Sequence, residues 1–313
     1  MAEIWTMGEL LVEIMRPEAD IPFDRTDRFL GPFPSGAPAI FIDTAAKLGM
    51  KSGMIGGVGD DGFGLNVTRR LKEDGVDCRY IQTLEGTTGV AFITYSSDGS
   101  REYIFHLAKT PAVGVKMPEN LEVGDSGFFH LMGCSLFMDP DFTKEILATM
   151  KAFVAKGYRV SFDPNIRTEL LKGNAIEKVV APVLENCSVL LPGKGELLAL
   201  SGKETVEAAA EYLFNKHENL SIIAVKLGKE GCQVITREHS ESFMAVKIEE
   251  IDPTGAGDCF DAGFLSVLLD GGTLEEAALT GAAAGALNVH AFGPMEGDIN
   301  RQNIACVIAS IYE

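Results

Sequence analysis

Residues 52–77 read SGMIGGVGDDGFGLNVTRRLKEDGVD: an apolar run, a turn rich in glycine and aspartate, and a segment of helical apolar spacing. A short apolar strand followed by an amphipathic helix is the repeating unit of a parallel sheet. The same rhythm returns in IFIDTAAKLG, GYRVSFDPN, CSVLLPG and SIIAVKLG, and the last third of the chain has mainly helical patterns. The sequence therefore predicts an α/β fold built on a mostly parallel sheet.

Two stretches interrupt this rhythm, Glu9 to Phe33 and Thr88 to Phe105. Both alternate apolar and polar residues around turn signals, a pattern that is typical of antiparallel strands. We therefore predict a core of residues 1–8, 34–87 and 106–313, and an accessory β-sheet of residues 9–33 and 88–105.

Composition excludes several classes of function. The formal net charge is −18, which repels nucleic acid and anionic membranes. The N-terminus lacks the features of a signal peptide and no stretch is apolar enough for a membrane span, so we expect a cytoplasmic protein. The six cysteines and five histidines have no metal-ligand spacing. We expect the cysteines to be reduced packing residues and the histidines to be structural or exposed.

The strongest chemical signal is DPTGAGDCFDAGF, residues 252–264. Gly255, Ala256 and Gly257 open a helical segment, where free backbone N–H groups and the helix dipole favour an anion such as a phosphoryl group in transfer. Asp258 lies beside this anion hole, where a carboxylate can act as the catalytic base toward a hydroxyl. The alternative is a tight turn with a capping acid.

This string resembles the second signature of the PfkB carbohydrate kinases, D-T-x-G-A-G-D-x-F, and residues 56–77 resemble the first, G-x-V-G-D-D-x-F-G followed by a helix and G-V-D. The resemblance implies a ribokinase-like, doubly wound α/β core with helices on both faces. It also implies a small β-sheet lid over the sugar, and a kinase that uses ATP and Mg²⁺.

Residues 57–62 also spell G-x-G-x-x-G, the pattern of a dinucleotide-binding turn. Asp60 and Asp61 would place like charges where a pyrophosphate must approach, which disfavours an oxidoreductase. We expect these two residues to cap the helix from Phe63 to Asp74 instead.

The resemblance also indicates a sugar pocket. Glu13 stands five residues after Gly8, which is the family spacing for an acid that binds sugar hydroxyls. Gly36 matches the family's G-G-x-x-A-N segment, but Ser35 and Ile40 replace its first glycine and its asparagine. Asp43 either takes over the lost polar contact or is a solvated acid on the helix surface.

Two further segments are predicted to contact the substrate. FDPNIR, residues 162–167, resembles a run found in kinases of ketosugars and keto sugar acids, which suggests Asn165 and Arg167 near the sugar. Arg167 can bind a carboxylate through two hydrogen bonds, or can form an ordinary ion pair. Tyr103 and Phe105 alternate on a lid strand, where they either cover the sugar or pack the lid.

The nucleotide side is predicted from weaker matches. In the family's N-x-x-E segment Glu196 is retained for Mg²⁺, acting through water, while Gly193 replaces the asparagine. The family positions for nucleotide contacts fall on Lys226, Gly228, Asn288 and Gly293. Asp252 and Thr254 match positions that hold a monovalent cation, K⁺, in relatives. No P-loop motif is present.

Together these features predict an ATP-dependent sugar kinase with a ketohexose of the fructose or tagatose type as substrate. A 2-keto-3-deoxygluconate kinase is the first alternative, followed by a nucleoside kinase of the same superfamily. A non-catalytic sugar sensor is the alternative of a different class. The predicted partners are the sugar and ATP, with a homodimer formed through the lid.

Overall fold

Two β-sheets organise the chain in the computed structural model, which describes residues 2–167 and 176–310. The strands are β1 (Glu3–Met7), β2 (Leu11–Met15), β3 (Leu30–Ser35), β4 (Ser52–Gly59), β5 (Asp77–Leu84), β6 (Gly89–Tyr95), β7 (Arg101–His106), β8 (Gly127–Met132), β9 (Tyr158–Asp163), β10 (Cys187–Leu190), β11 (Ile222–Lys226), β12 (Cys232–Ile235) and β13 (Ser240–Phe243).

Helices connect and flank these strands. They are α1 (Ala37–Lys47), α2 (Gly62–Glu73), α3 (Pro111–Gly114), α4 (Gly133–Leu136), α5 (Pro140–Ala155), α6 (Ile176–Leu184), α7 (Lys194–Ser201), α8 (Val206–Lys216), α9 (Ala256–Asp270), α10 (Leu274–Val289) and α11 (Arg301–Ala309), with one 3₁₀ turn at Gly228–Glu230. No helix in residues 2–167 or 176–310 has the length and apolar character needed to cross a bilayer.

The large sheet has the order β13-β12-β11-β10-β9-β8-β1-β4-β5 and is parallel from β11 to β5. From β1 the chain moves outward through β4 to β5, and from β8 it moves in the opposite direction. Crossover connections therefore run in two directions along the sheet, which is doubly wound as predicted. The order reverses between β1 and β8, and ligands of such folds bind beyond the carboxyl ends of the strands at this point.

The small sheet has the order β3-β2-β6-β7. Its outer pairs, β2 with β3 and β6 with β7, are antiparallel, whereas the central pair of β2 and β6 is parallel. The prediction of an entirely antiparallel accessory sheet was therefore wrong for its centre, because the two hairpins come from distant segments and join side by side. β3 ends at Ser35 and β7 at His106, slightly beyond the predicted ends at Phe33 and Phe105. The division of the chain into core and lid stays a prediction.

The N-terminus of α2 is capped by the side chain of Asp61. Asp61 accepts hydrogen bonds from the backbone N–H groups of Phe63 and Gly64, and from the N–H and hydroxyl of Thr88. A pyrophosphate would need these same donors, so the dinucleotide-binding alternative does not fit. Asp60 is exposed and does not cap the helix, contrary to the prediction.

Close packing fixes the position of α9. A Cβ on Gly263 of α9 would lie 2.9 Å from the Thr280 carbonyl of α10, and one on Gly281 of α10 would lie 2.9 Å from the Phe260 carbonyl. Only small residues permit this approach, because a larger side chain would overpack a closely packed core. The first half of α9 is thus held close against α10.

The cysteines form no disulfide bonds. Four of them are buried as expected, Cys78 is partly buried, and Cys306 is exposed on α11, so the prediction of a packing role was wrong for Cys306. Of the histidines, His130 and His217 are buried, and His130 stacks on Phe41 with ring centres 3.9 Å apart.

Candidate active site

The first turn of α9 lies between two cavities. Gly255 and Asp258 line a small pocket, while Ala256 and Gly257 line a separate groove of about 370 Å³. Gly255 has a φ of 82°, and a Cβ at this position would lie 2.6 Å from the Pro294 carbonyl oxygen, so the turn requires glycine. One helix end therefore presents its N–H groups where the contents of the two cavities would meet.

The small pocket collects side chains from both sheets and from α9. Five residues predicted as substrate contacts line it together with the proposed base: Glu13, Gly36, Tyr103, Phe105 and Arg167. Asn165 does not line the pocket itself, because its side chain points to the base. The pocket lies beyond the carboxyl ends of β1 and β8, where the sheet order reverses.

Asp258 is buried in the first turn of α9 and accepts a hydrogen bond of 3.2 Å from the Asn165 side-chain amide. Burial, reinforced by the negative charge of Asp163, raises the pKa of Asp258 to about 8. A buried carboxyl whose pKa lies near neutrality can gain and lose a proton during turnover, as a general base must.

Two further carboxylates line the pocket. Glu13 is buried, its Oε2 has no hydrogen-bond partner, and burial raises its pKa to about 7. Glu9 accepts hydrogen bonds from the Ser135 hydroxyl and the Cys134 thiol, and burial raises its pKa as well. Glu9 was not among the predicted site residues. Its position directly after Gly8, at the end of the first strand, was the available signal.

Arg167 enters the pocket from the segment after β9. Its guanidinium carbon lies 5.6 Å from the centre of the Tyr103 ring, and Tyr103 stacks on Phe105 with ring centres 5.3 Å apart. None of the ion pairs formed within the described ranges includes Arg167. The guanidinium thus lies beside an aromatic surface and lines the pocket.

Ser35, Ile40 and Asp43 lie in or just after the segment where the chain departs from the family pattern. Ile40 lines the pocket as an apolar residue, so a polar contact of the family is absent there. Asp43 is neither a substrate contact nor solvated, and both interpretations of it were wrong. It is buried, pairs with Lys47 at 2.8 Å, and has its pKa raised to about 7 by burial. Ser35 is fully buried at the end of β3.

The groove beside Ala256 and Gly257 matches a nucleotide site in part. Lys226 and Gly228, both predicted, line it together with apolar residues of α10 and the segment before α9. Asn288 and Gly293 do not line it. Asn288 is fully buried and donates to the Thr254 carbonyl at 2.7 Å, and the Gly293 N–H donates to Asp252 at 3.0 Å. These two residues support the turn before α9 instead.

Lys226 forms a buried ion cluster at the base of the groove. Its Nζ lies 2.8 Å from Asp163 Oδ2 and 3.0 and 3.1 Å from the two oxygens of Asp261. Burial opposes these charges, but the ammonium lowers the pKa of Asp163. The three donors of the ammonium are directed to these acids, so Lys226 supplies positive potential beside Gly257 more than a free hydrogen bond. Both aspartates had been missed, although FDPN and GDCFDAG display them.

Glu196 has a different immediate role from the predicted one. One carboxylate oxygen accepts the Ile166 N–H and the other accepts the Gly193 N–H, each at 2.7 Å. It therefore ties the segment containing Asn165 and Arg167 to the start of α7. Within residues 2–167 and 176–310, no group of three or more His, Cys, Asp or Glu side chains forms a metal site.

Asp252 is a buried residue before α9 whose carboxylate connects several segments through hydrogen bonds. Its Oδ1 accepts hydrogen bonds from the Tyr95 hydroxyl and the Thr254 N–H, both at 3.0 Å, and its Oδ2 accepts the Gly293 N–H. Each carboxylate oxygen therefore already accepts at least one donor. The predicted K⁺ site at Asp252 and Thr254 stays a prediction.

Comparison with known proteins agrees with this geometry. Residues 30–300 match the family model described as pfkB family carbohydrate kinase. The chain belongs to the PfkB family. Probable fructokinase-4 of Arabidopsis thaliana is 30% identical over 271 residues, covering 85% of this chain and 82% of that protein. Probable fructokinase-6 of the same plant, a chloroplastic protein, is 30% identical over 91% of this chain.

Solved structures of similar proteins show the same fold. The apo form of a putative ribokinase II from E. coli is 36% identical, with a TM-score of 0.92 over 99% of this chain and all of that one. Its complex with ATP and Mg²⁺ has a TM-score of 0.87. A fructokinase from Vibrio cholerae O395 with fructose, ADP and calcium is 23% identical, covers 98% of this chain and has a TM-score of 0.84, which supports the fold alone. This PfkB protein is thus a sugar kinase that uses ATP.

Proposed function

We propose that this PfkB protein transfers the γ-phosphate of ATP to a hydroxyl of a neutral ketohexose of the fructose type. The observation that supports it most is the position of the first turn of α9. Gly255 and Asp258 face the small pocket and Ala256 and Gly257 face the groove. A sugar in the pocket and a triphosphate in the groove would meet at this turn.

In the proposed reaction Asp258 removes the proton from the attacking hydroxyl. The N–H groups of Gly255, Ala256 and Gly257 stabilise the charge that develops on the transferring phosphoryl group, and that of Ala256 has only a long contact of 3.4 Å with the Pro253 carbonyl to give up. Asn165 orients the base, and the Lys226 cluster adds positive potential beside Gly257. Glu13, whose Oε2 is buried without a partner, accepts sugar hydroxyls, and Tyr103 and Phe105 cover the sugar.

The choice of a neutral sugar is supported by the acids of the pocket. Its lining residues in the described part of the chain include three acids, Glu9, Glu13 and Asp258, and one cation, Arg167. Carboxyl groups form hydrogen bonds with hydroxyls whether protonated or ionised, and they repel an acidic substrate once ionised, which for Glu13 occurs at a pH of about 7, its pKa in this pocket. The names of the curated relatives, which are fructokinases, favour the same substrate class.

One observation favours 2-keto-3-deoxygluconate as the second candidate. The Arg167 guanidinium faces the pocket over Tyr103 and forms no ion pair within the described ranges. A guanidinium placed in this way is suited to a carboxylate on the substrate. The non-catalytic sensor is disfavoured because the base and the anion hole are both present. No specific observation favours the nucleoside kinase.

Magnesium is expected to arrive with ATP. Within the described part of the chain each oxygen of Glu196 accepts one backbone N–H, so the carboxylate retains lone pairs for water molecules bound to Mg²⁺. Mg²⁺ keeps several waters and needs few protein ligands, so the residues present fit an outer-sphere arrangement. The metal, when bound, neutralises charge on the phosphates.

The small sheet is proposed to act as a lid that closes over the pocket, and K⁺ binding by Asp252 and Thr254 is proposed from the family match alone. The homodimer through this sheet stays a prediction.

A substrate screen tests the proposal. Release of ADP is measured with ATP and Mg²⁺ in the presence of fructose, tagatose, 2-keto-3-deoxygluconate and a set of nucleosides. We expect the highest kcat/KM with a neutral ketohexose. A higher value with the keto acid would transfer the assignment to the second candidate, and absence of turnover with every compound despite sugar binding would favour a sensor.

A further inference from the structure

We propose that Tyr95 is a positioning residue that couples the small sheet to the anion hole at the start of α9. Tyr95 ends β6 and belongs to the small sheet, whereas Asp252 and Thr254 belong to the turn that leads into Gly255. The Tyr95 hydroxyl contacts both of these residues. It therefore forms a polar connection between the proposed lid and the phosphate-binding turn.

Tyr95 does not reach this turn alone. It lies directly opposite Arg101 in the antiparallel pairing of β6 with β7, next to the hairpin loop of residues 96–100. The Tyr95 oxygen lies 3.2 Å from Thr254 Oγ1, and Arg101 Nη1 lies 3.3 Å from the same atom. Two side chains that face each other across one hairpin thus converge on a single hydroxyl of the core.

The chemistry of the four groups gives the hydrogen bonds a fixed direction. A guanidinium can only donate, and an ionised carboxylate can only accept. Arg101 therefore donates to the Thr254 hydroxyl, the Thr254 hydroxyl donates to the Tyr95 oxygen, and the Tyr95 hydroxyl donates to Asp252 Oδ1 at 3.0 Å. Removal of the Tyr95 hydroxyl interrupts this chain at its centre.

This series of hydrogen bonds ends at Asp252, the residue that organises the turn before α9. Asp252 Oδ1 also accepts the Thr254 N–H, and its Oδ2 accepts the Gly293 N–H. The Thr254 carbonyl accepts the Asn288 amide, and Gly255 follows with its left-handed backbone. The N–H groups of the anion hole belong to residues 255–257, which directly follow Thr254 in the sequence. Their orientation therefore depends on the positions of Asp252 and Thr254.

A functional consequence follows from this arrangement. When the small sheet is in place, Tyr95 and Arg101 complete the polar surroundings of Thr254, which is buried. When the sheet moves away, Thr254 loses both partners. The anion hole is then fully ordered only with the sheet closed, so the coupling acts on the chemical step more than on binding of either substrate.

The test compares Tyr95→Phe with the wild-type enzyme and with Tyr80→Phe. Tyr80 is a matched control, because its hydroxyl donates to the Asn120 carbonyl at 3.0 Å on the edge strand β5. For Tyr95→Phe we expect kcat for sugar phosphorylation to fall about tenfold, with KM for sugar and ATP within about twofold of wild type. Tyr80→Phe should leave all three constants unchanged.

A second variant keeps the test decisive if Tyr95→Phe folds poorly. Thr254→Val removes the shared hydroxyl while preserving the shape of the side chain, and it should lower kcat in the same way. In the double variant Tyr95→Phe/Thr254→Val the loss should be clearly smaller than the product of the two single losses, because both changes break one chain. Thermal unfolding of each variant separates this effect from a loss of folded protein.

The proposal is overturned if Tyr95→Phe keeps wild-type kcat, if its effect appears in KM instead, or if the two substitutions act additively. The assay uses whichever sugar gives the highest kcat/KM in the substrate screen. The proposal for Tyr95 rests on the proposed sugar kinase activity but not on the identity of the sugar. Failure of the proposed function would appear as absence of turnover in the wild-type enzyme, before any variant is measured.

Discussion

The side-chain amide of Asn165 donates a hydrogen bond of 3.2 Å to Oδ1 of Asp258. This bond favours the ionised carboxylate, while burial favours the neutral acid and raises the pKa of Asp258 to about 8. The amide therefore fixes the orientation of the base and moderates its pKa. Asn165 has a φ of 35°, a conformation in which glycine is less strained than alanine.

Asn165→Gly should lower kcat about tenfold, since a hydrogen bond to a charged group is lost. The acid limb of the profile of kcat/KM against pH should also move to higher pH, because the donor that favoured the carboxylate is gone. Asn219→Gly is the control, since the Asn219 side chain donates to the Glu185 carbonyl on the surface, away from the pocket. An unmoved pH profile would remove Asn165 from the surroundings of the base.

Asp258→Asn should lower kcat by about 10²-fold or more, because general base catalysis contributes on that order. The KM values for ATP and sugar should change little, since the amide is nearly the same size. Steady-state kinetics provide the measurement, with the exposed Asp141→Asn as control. Wild-type turnover in Asp258→Asn would exclude Asp258 as the base.

The substitution Asp258→Asn should also stabilise the folded protein, by an amount that increases as the pH rises toward 8. The folded pKa of Asp258 is about 8 and its ordinary value is 3.8, so between these values the folded state holds a proton that the unfolded state releases. The free energy of unfolding therefore falls as pH rises toward 8. The amide in the Asp258→Asn variant does not titrate, so the advantage of the variant in melting temperature should grow from pH 5 to pH 8. An advantage that is constant with pH would contradict the raised pKa.

Glu13→Gln should raise KM for the sugar by about tenfold or more while leaving KM for ATP unchanged, because a charged acceptor for hydroxyls is lost. Burial raises the pKa of Glu13 to about 7, so wild-type sugar affinity should increase as pH rises through 7. This pH dependence should be absent in the variant. Glu102→Gln, on the exposed side of β7, is the control. Equal KM in both variants would mean that Glu13 does not bind the sugar.

Arg167→Ala distinguishes the two candidate substrates. If the sugar is a neutral ketohexose, kcat/KM for fructose and for 2-keto-3-deoxygluconate should fall by similar factors. If Arg167 pairs with a substrate carboxylate, the loss should fall selectively on the keto acid, by about 2–5 kcal/mol. A selective loss, together with a wild-type preference for the keto acid, would overturn the ketohexose assignment.

The sequence was most informative where chemistry depends on residues that are adjacent in the chain. The small residues 255–257 and the following Asp258 predicted an anion hole with a base, because a helix start brings these groups together without help from the rest of the fold. The alternation of apolar runs and helical segments likewise predicted the large parallel sheet. Asn288 and Gly293 contact the turn before α9 and Asp43 is buried beside Lys47, and such contacts depend on which distant segment packs against each residue. The nucleotide-binding roles of Asn288 and Gly293 stay predictions.

What the sequence by itself determined is therefore the fold class, the turn before α9 and the family of the chain. Only the tertiary structure decided that Asp163, Lys226 and Asp261 form one buried ion cluster, and that Tyr95 and Arg101 reach Thr254. The physical reason is that these groups lie tens or hundreds of positions apart in the chain. Their contacts depend on how the strands are ordered and how the small sheet packs on the core, and these are properties of the whole packed molecule.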